Sequence, residues 1–61
     1  MEPPTVREVI RRLEKEGFVK VGQKGDHRQY AKGTRKVTVA GKPSEHLLRK
    51  TWKSIQNQAG W

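Results

Sequence analysis

The sequence predicts a small α+β domain with the element order α-β-β-β-α, in which a three-stranded antiparallel sheet carries both helices on one face. The chain of 61 residues has the right length for a single domain, residues 1–61. Amphipathic segments with helix-capping residues stand near both ends. Three short runs of β-forming residues, separated by glycine turns, lie between them.

The first helix is predicted for about residues 6–16, after an extended or disordered lead at residues 1–4 that contains two prolines. Thr5 is a typical N-cap, and Glu8 three residues later completes a capping box. Gly17 is expected to end the helix in the left-handed conformation. Four apolar residues recur at helical spacing on one stripe: Val6, Val9, Ile10 and Leu13.

Three short strands follow, predicted for residues 18–23, 27–31 and 35–40. The first run is apolar and β-branched, and the third shows the clearest alternation of polar and apolar residues. The connections at residues 24–26 and 32–34 are short and each contain a glycine, which is typical of antiparallel hairpins. The three strands are therefore expected to form a meander.

Side-chain parity along the strands predicts which residues reach the open face of the sheet. Val37 and Val39 should point toward the helices, and so should Tyr30, the large apolar side chain of the second strand. His27 lies three residues before Tyr30, which is an odd offset. His27 should therefore point to the open face together with Gln29.

The last third of the chain predicts a loop and a second helix. Residues 41–43 end the sheet, and residues 44–48 are expected to form a single turn capped by Ser44. Thr51 is the predicted N-cap of the last helix, and Gly60 should end it. One face of that helix carries three apolar residues: Trp52, Ile55 and Ala59.

The composition favours an anionic partner, because 14 Lys and Arg against 6 Asp and Glu give a formal net charge of +8. Nucleic acid is the leading candidate, ahead of an acidic protein or an anionic membrane surface. The chain has no cysteine and two histidines, so we expect no disulfide, no metal site and no cofactor. No apolar run is long enough to span a membrane, and the expected location is the cytoplasm.

The most informative segment is residues 24–30, where a glycine turn places His27 between basic residues. Imidazole is the side chain best suited to transfer protons near neutral pH. A basic surface can hold a polyphosphate chain while the transfer occurs. The combination suggests chemistry on RNA. The competing interpretation is that His27 is an ordinary exposed histidine in a turn.

Five segments, spread over nearly the whole chain, carry a resemblance to a known family: LEKEGF at 13–18, KGDH at 24–27, RKVTV at 35–39, GKPS at 41–44 and TWKSIQNQAG at 51–60. In their order and spacing the chain resembles the HicA-type mRNA interferase toxins (YcfA-like family) of bacterial type II toxin–antitoxin systems. The resemblance implies a fold like the double-stranded-RNA-binding domain and a cognate HicB-type antitoxin. The family's usual tripeptide is Gly-Ser-His, so the catalytic role carries over to His27, while Asp26 replaces the serine. Lys50 stands where the family often has glycine.

The expected reaction is therefore metal-independent cleavage of mRNA, in which the ribose 2′-OH attacks the adjacent phosphorus and the 5′-oxygen leaves. His27 would take or give a proton. Lys24, Arg28 and Lys36 are the candidates to hold phosphates and stabilise the added negative charge. The competing interpretation of these three cations is that they are solvated surface charges.

Two other classes of function stay open at this stage. One is a non-catalytic RNA-binding module, since the element order also suits double-stranded RNA. The other is a protein-binding module whose basic face docks an acidic partner. Among the remaining candidates, His46 is expected to be a loop residue, Tyr30 and Trp52 to be core residues, and Trp61 to belong to a partner interface or to none.

Overall fold

The computed structural model describes residues 2–61 and shows the predicted order of one helix, three strands and a second helix. The elements are α1 (Val6–Lys15), β1 (Val19–Lys24), β2 (His27–Lys32), β3 (Arg35–Ala40) and α2 (Arg49–Ala59). The strands pair antiparallel in the order β1-β2-β3, which confirms the predicted meander. Neither helix found within residues 2–61 has the length and apolar character needed to cross a membrane.

The capping box predicted at the start of α1 is confirmed. The Thr5 hydroxyl accepts the Glu8 N–H at 3.2 Å, and the Glu8 carboxylate accepts the Thr5 N–H at 3.1 Å. At the other end, Gly17 has φ +98°, a left-handed conformation that favours glycine. Local sequence chemistry therefore contributes to both ends of α1.

The capping box predicts a pH dependence of stability. The bonds from the Thr5 N–H and, second, the Thr5 hydroxyl hold the pKa of Glu8 below its usual range. Because the folded pKa is lowered, this stabilisation is present above the unfolded pKa of about 4.3 and is lost as the pH falls through the folded pKa. We expect Glu8→Gln to flatten the acid side of the stability curve, measured by urea unfolding at a series of pH values. If the stability curves of the wild type and Glu8→Gln had the same shape, Glu8 would not be the source of this pH dependence.

Both helices pack on the face of the sheet from which Tyr30, Val37 and Val39 project, and these three side chains are buried, as parity predicts. The helices and connections contribute the other buried apolar residues: Val6, Val9, Leu13, Phe18, Leu47, Ile55 and Ala59. Trp52 is half-buried and packs against this cluster. The opposite face of the sheet carries no helix, so residues on it are reachable from solvent.

The loop before α2 differs from its prediction. No turn capped by Ser44 forms. The carbonyl groups of Pro43 and Glu45 instead accept the N–H groups of Arg7 and Val6 at 3.0 and 2.9 Å. These carbonyls cap the first turn of α1, whose N–H groups have no partner within the helix. These bonds hold the loop against the start of α1.

The predicted N-cap of α2 was also wrong by three residues. Leu48 is the N-cap, in an extended conformation, and Thr51 lies inside the first turn. The Trp52 N–H donates to the Leu48 carbonyl at 2.8 Å, so regular helical bonding already begins at Leu48. At the other end of α2, Gly60 has φ +78° and ends the helix as predicted.

The segment ahead of α1 is tied to the same loop. The Pro4 carbonyl accepts the Leu47 N–H at 2.9 Å, and Thr5 forms a single antiparallel bridge with His46. Residues 2–4 therefore follow an irregular path that is fixed by hydrogen bonds at its end. Met1, the first residue of the predicted lead, lies outside the described residues.

Candidate active site

His27 is the first residue of β2 and is presented by a two-residue turn. Gly25 opens that turn with φ +60°, which type II′ hairpin turns require at their first position. The His27 side chain is 63% exposed. It pairs across the sheet with Lys24 and Ala40 and lies on the face without helices. The structure therefore places His27 where parity predicts it.

The Asp26 carboxylate contacts the His27 ring directly, with Oδ1 3.0 Å from Nδ1. An ionised carboxylate can only accept a hydrogen bond, so a hydrogen bond at this contact requires a proton on Nδ1. The contact occupies Nδ1 and leaves Nε2 as the ring nitrogen for a second partner. In a neutral ring with this tautomer, Nε2 holds the lone pair and can act as a base.

The two predicted lysines share this face of the sheet but stand at different distances from His27. Lys24 is directly opposite His27, and residues so paired have Cβ atoms about 4.5–5.5 Å apart. Lys36 pairs with Ala31, four residues further along β2, or roughly 13 Å at the usual rise of a strand. The structure brings Lys24 to the histidine and places Lys36 at the far end of the same face.

Arg28 is not brought to this face. It pairs with the buried Val39 and is half-buried on the helix side of the sheet. Its Nη1 donates to the Gly41 carbonyl at 2.8 Å and to the Asp26 carbonyl at 3.3 Å. The guanidinium thus joins the β1–β2 turn to the end of β3. The adjacency of Arg28 to His27 in the sequence does not reveal this arrangement.

A shallow open hollow of about 580 Å³ surrounds the histidine, lined by Lys24, Gly25, Asp26, His27, Gln29 and Thr38. Thr38 was not singled out from the sequence. It pairs with Gln29, and the two polar side chains extend the surface next to His27. The signal was the alternation of β3, because Thr38 lies between the inward-pointing Val37 and Val39 and must therefore point to the open face. Its pairing with Gln29 follows from the two-residue turn of the structure, which is one residue shorter than the predicted connection at 32–34.

The other histidine has a structural role. His46 Nδ1 lies 2.7 Å from the Pro3 carbonyl, and its Nε2 lies 3.3 Å from the Glu2 carboxylate. These contacts tie the loop before α2 to the N-terminal segment. His46 is thus a loop residue, as predicted, and it does not belong to the hollow around His27.

Trp61, which sequence reasoning left unassigned, packs within the chain. Its indole Nε1 donates to the Glu16 carboxylate at 2.7 Å, and the Arg12 guanidinium lies 3.9 Å from the centre of its ring. The indole bond is the largest cause of the lowered pKa of Glu16, and the Arg12 bond is the second. Trp61 therefore links the end of the chain to α1, on the helix side of the sheet.

Comparison with protein-family models gives a match to the HicA toxin of bacterial toxin–antitoxin systems over residues 6–61. A search of curated proteins finds no match. The matched residues include all five elements of the fold and the turn that carries His27. The resemblance seen in the sequence is thereby confirmed, and the chain belongs to the HicA toxin family of bacterial toxin–antitoxin systems.

Proposed function

We propose that this toxin is an endoribonuclease that cleaves mRNA with His27 as its proton-transfer group. The observation that carries the proposal is the side chain of His27 itself, exposed on the open face with Nδ1 held by Asp26 and with Lys24 directly opposite. This arrangement combines a base and a cation on the face of the sheet that carries no helix.

In the proposed reaction, Nε2 of His27 takes the proton of a ribose 2′-OH. The 2′-oxygen forms a bond to the adjacent phosphorus, the bond from phosphorus to the 5′-oxygen breaks, and the leaving oxygen takes a proton from water. The ammonium group of Lys24 stabilises the negative charge that builds on the phosphate. Lys36 holds a phosphate further along the strand. Arg28, bound to the Gly41 carbonyl, maintains the turn.

The reaction draws its nucleophile from the substrate, and this makes the proposal testable with purified protein. We expect cleavage of an RNA and none of a DNA of the same sequence, because DNA lacks the 2′-OH. We expect cleavage to persist in the presence of a chelator, since no metal-bound water takes part. Tight RNA binding without cleavage would favour the non-catalytic RNA-binding module instead.

Membership of a toxin–antitoxin family implies an antitoxin partner. We propose that a cognate HicB-type antitoxin covers the face that carries His27, because an acidic or RNA-like surface would neutralise the excess of positive charge. A specific complex of this kind ordinarily buries about 1,200–2,000 Å². We expect RNA cleavage to fall in proportion to added antitoxin. Unchanged cleavage by the saturated complex would show that the antitoxin binds elsewhere.

A further inference from the structure

The contact between Asp26 and His27 does little for the stability of the fold. Their side chains are 58% and 63% exposed, and exposed ion pairs contribute only about 0–1 kcal/mol. The contact does place a carboxylate, which has no proton to donate, against one particular ring nitrogen. Its importance therefore lies in the chemistry available to the histidine.

The main chain of Asp26 is hydrogen-bonded to two residues outside the turn. Its carbonyl accepts the Gly41 N–H at 3.0 Å and an Arg28 N–H at 3.3 Å. Arg28 also holds the Gly41 carbonyl at 2.8 Å. The end of β3 and the helix side of β2 thus secure the residue from which the carboxylate projects.

We propose that Asp26 is a positioning residue for His27: its carboxylate holds Nδ1–H and directs the lone pair of Nε2 to the RNA. Arg28 acts one step further away by fixing the turn. This inference rests on the proposed role of His27 as a base. When Nε2 takes the 2′-OH proton, the ring becomes a cation, and the same carboxylate stabilises it.

The chemistry of this position separates aspartate from the residues that could replace it. A serine hydroxyl, the group usual in the family at this place, can donate or accept a hydrogen bond, and so can an asparagine amide. Neither group therefore imposes one tautomer on the ring. An ionised carboxylate imposes the Nδ1–H form, since it has no proton to donate. Asp26→Asn is the informative variant because it preserves the shape and removes the constraint.

The direct test is the tautomer of His27 in uniformly ¹⁵N-labelled protein, read from the chemical shifts of the two ring nitrogens with the imidazole neutral. We expect Nδ1–H to predominate in the wild type and the Nε2–H population to rise in Asp26→Asn. His46 is an internal control, because its ring nitrogens contact Pro3 and Glu2 and not Asp26. An unchanged His27 tautomer in Asp26→Asn would overturn the proposal, and this readout does not depend on RNA cleavage.

The kinetic test separates positioning from overall charge. Asp26→Asn and Glu14→Gln each remove one negative charge, and Glu14 is an exposed residue of α1. We expect kcat to fall about 10-fold in Asp26→Asn alone, less than the ~10⁴-fold loss known for a buried triad carboxylate. Its KM should not rise, because losing a negative charge does not weaken RNA binding.

The tautomer of His27 and the value of kcat together show which part of the proposal holds. A shifted tautomer with a lower kcat supports the proposal. A lower kcat in Asp26→Asn with an unchanged tautomer would show that Asp26 acts through its charge alone. A shifted tautomer with wild-type kcat would show that the tautomer set by Asp26 does not affect catalysis. Either result overturns the proposal. A wild-type protein that cuts no RNA would refute the proposed nuclease function, while a shifted tautomer would still support the ring-orienting contact.

Discussion

Replacing His27 with alanine is expected to lower RNA cleavage by about 10²–10⁴-fold, the usual loss when a general acid or base is removed. The side chain is largely exposed and His27 is not one of the core residues, so the variant should fold like the wild type. The measurement is the initial rate of RNA cleavage at equal protein concentrations. Circular dichroism and thermal unfolding serve as the controls for folding.

Lys24→Ala is the matched comparison, because it removes a side chain directly opposite His27 on the same face. We expect the substitution mainly to weaken RNA binding. The slope of the binding constant against salt concentration, both on logarithmic scales, should become shallower by about 1, the value for one lost phosphate contact. His27→Ala should leave RNA binding nearly unchanged. A folded His27→Ala protein with full cleavage activity would refute the assigned role of the histidine.

Replacing Leu13 with alanine is expected to lower the free energy of unfolding by about 2–5 kcal/mol. Leu13 is fully buried in the cluster between α1 and the sheet. A chain of this length has a total stability of roughly 3–9 kcal/mol, so the variant should lose much of it. Each kcal/mol lowers the Tm of so small a domain by about 4–8 °C. Urea and thermal unfolding followed by circular dichroism measure the change.

Leu48→Ala supplies the control for this prediction. It deletes the same atoms from a side chain that is 76% exposed, and surface substitutions usually change stability by no more than about 0.5 kcal/mol. Equal losses for the two leucines would show that burial in this core is not what stabilises the domain.

Much of the fold could be predicted because its signals are local. Thr5 and Glu8 define the start of α1, and the alternation around Val37 identifies both the third strand and its buried face. The loop before α2 was the main error. Its carbonyl groups bond to the N–H groups of Val6 and Arg7, almost 40 residues earlier in the chain. Short-range rules for capping cannot anticipate a long-range partner of this kind.

The candidate site also has features that local sequence patterns predict and features that depend on long-range contacts. The exposure of His27 follows from its odd offset to Tyr30, which a regular strand preserves. The position of Arg28 was not recognised, although the same parity places it on the helix side, because adjacency to His27 suggested a common role. The 3.0 Å contact between Asp26 and His27 lies in a turn that also bonds to Gly41, whose N–H donates to the Asp26 carbonyl. Only the folded chain reveals that connection.

The chemistry of the product ends tests the proposed nuclease most directly. If the 2′-OH of the RNA is the nucleophile, each cut leaves a 2′,3′-cyclic phosphate on one fragment and a free 5′-hydroxyl on the other. We predict these ends for the wild-type protein and almost no product from His27→Ala. Fragments that carry 3′-hydroxyl and 5′-phosphate ends would show that water attacks the phosphorus, and they would contradict the proposed role of His27.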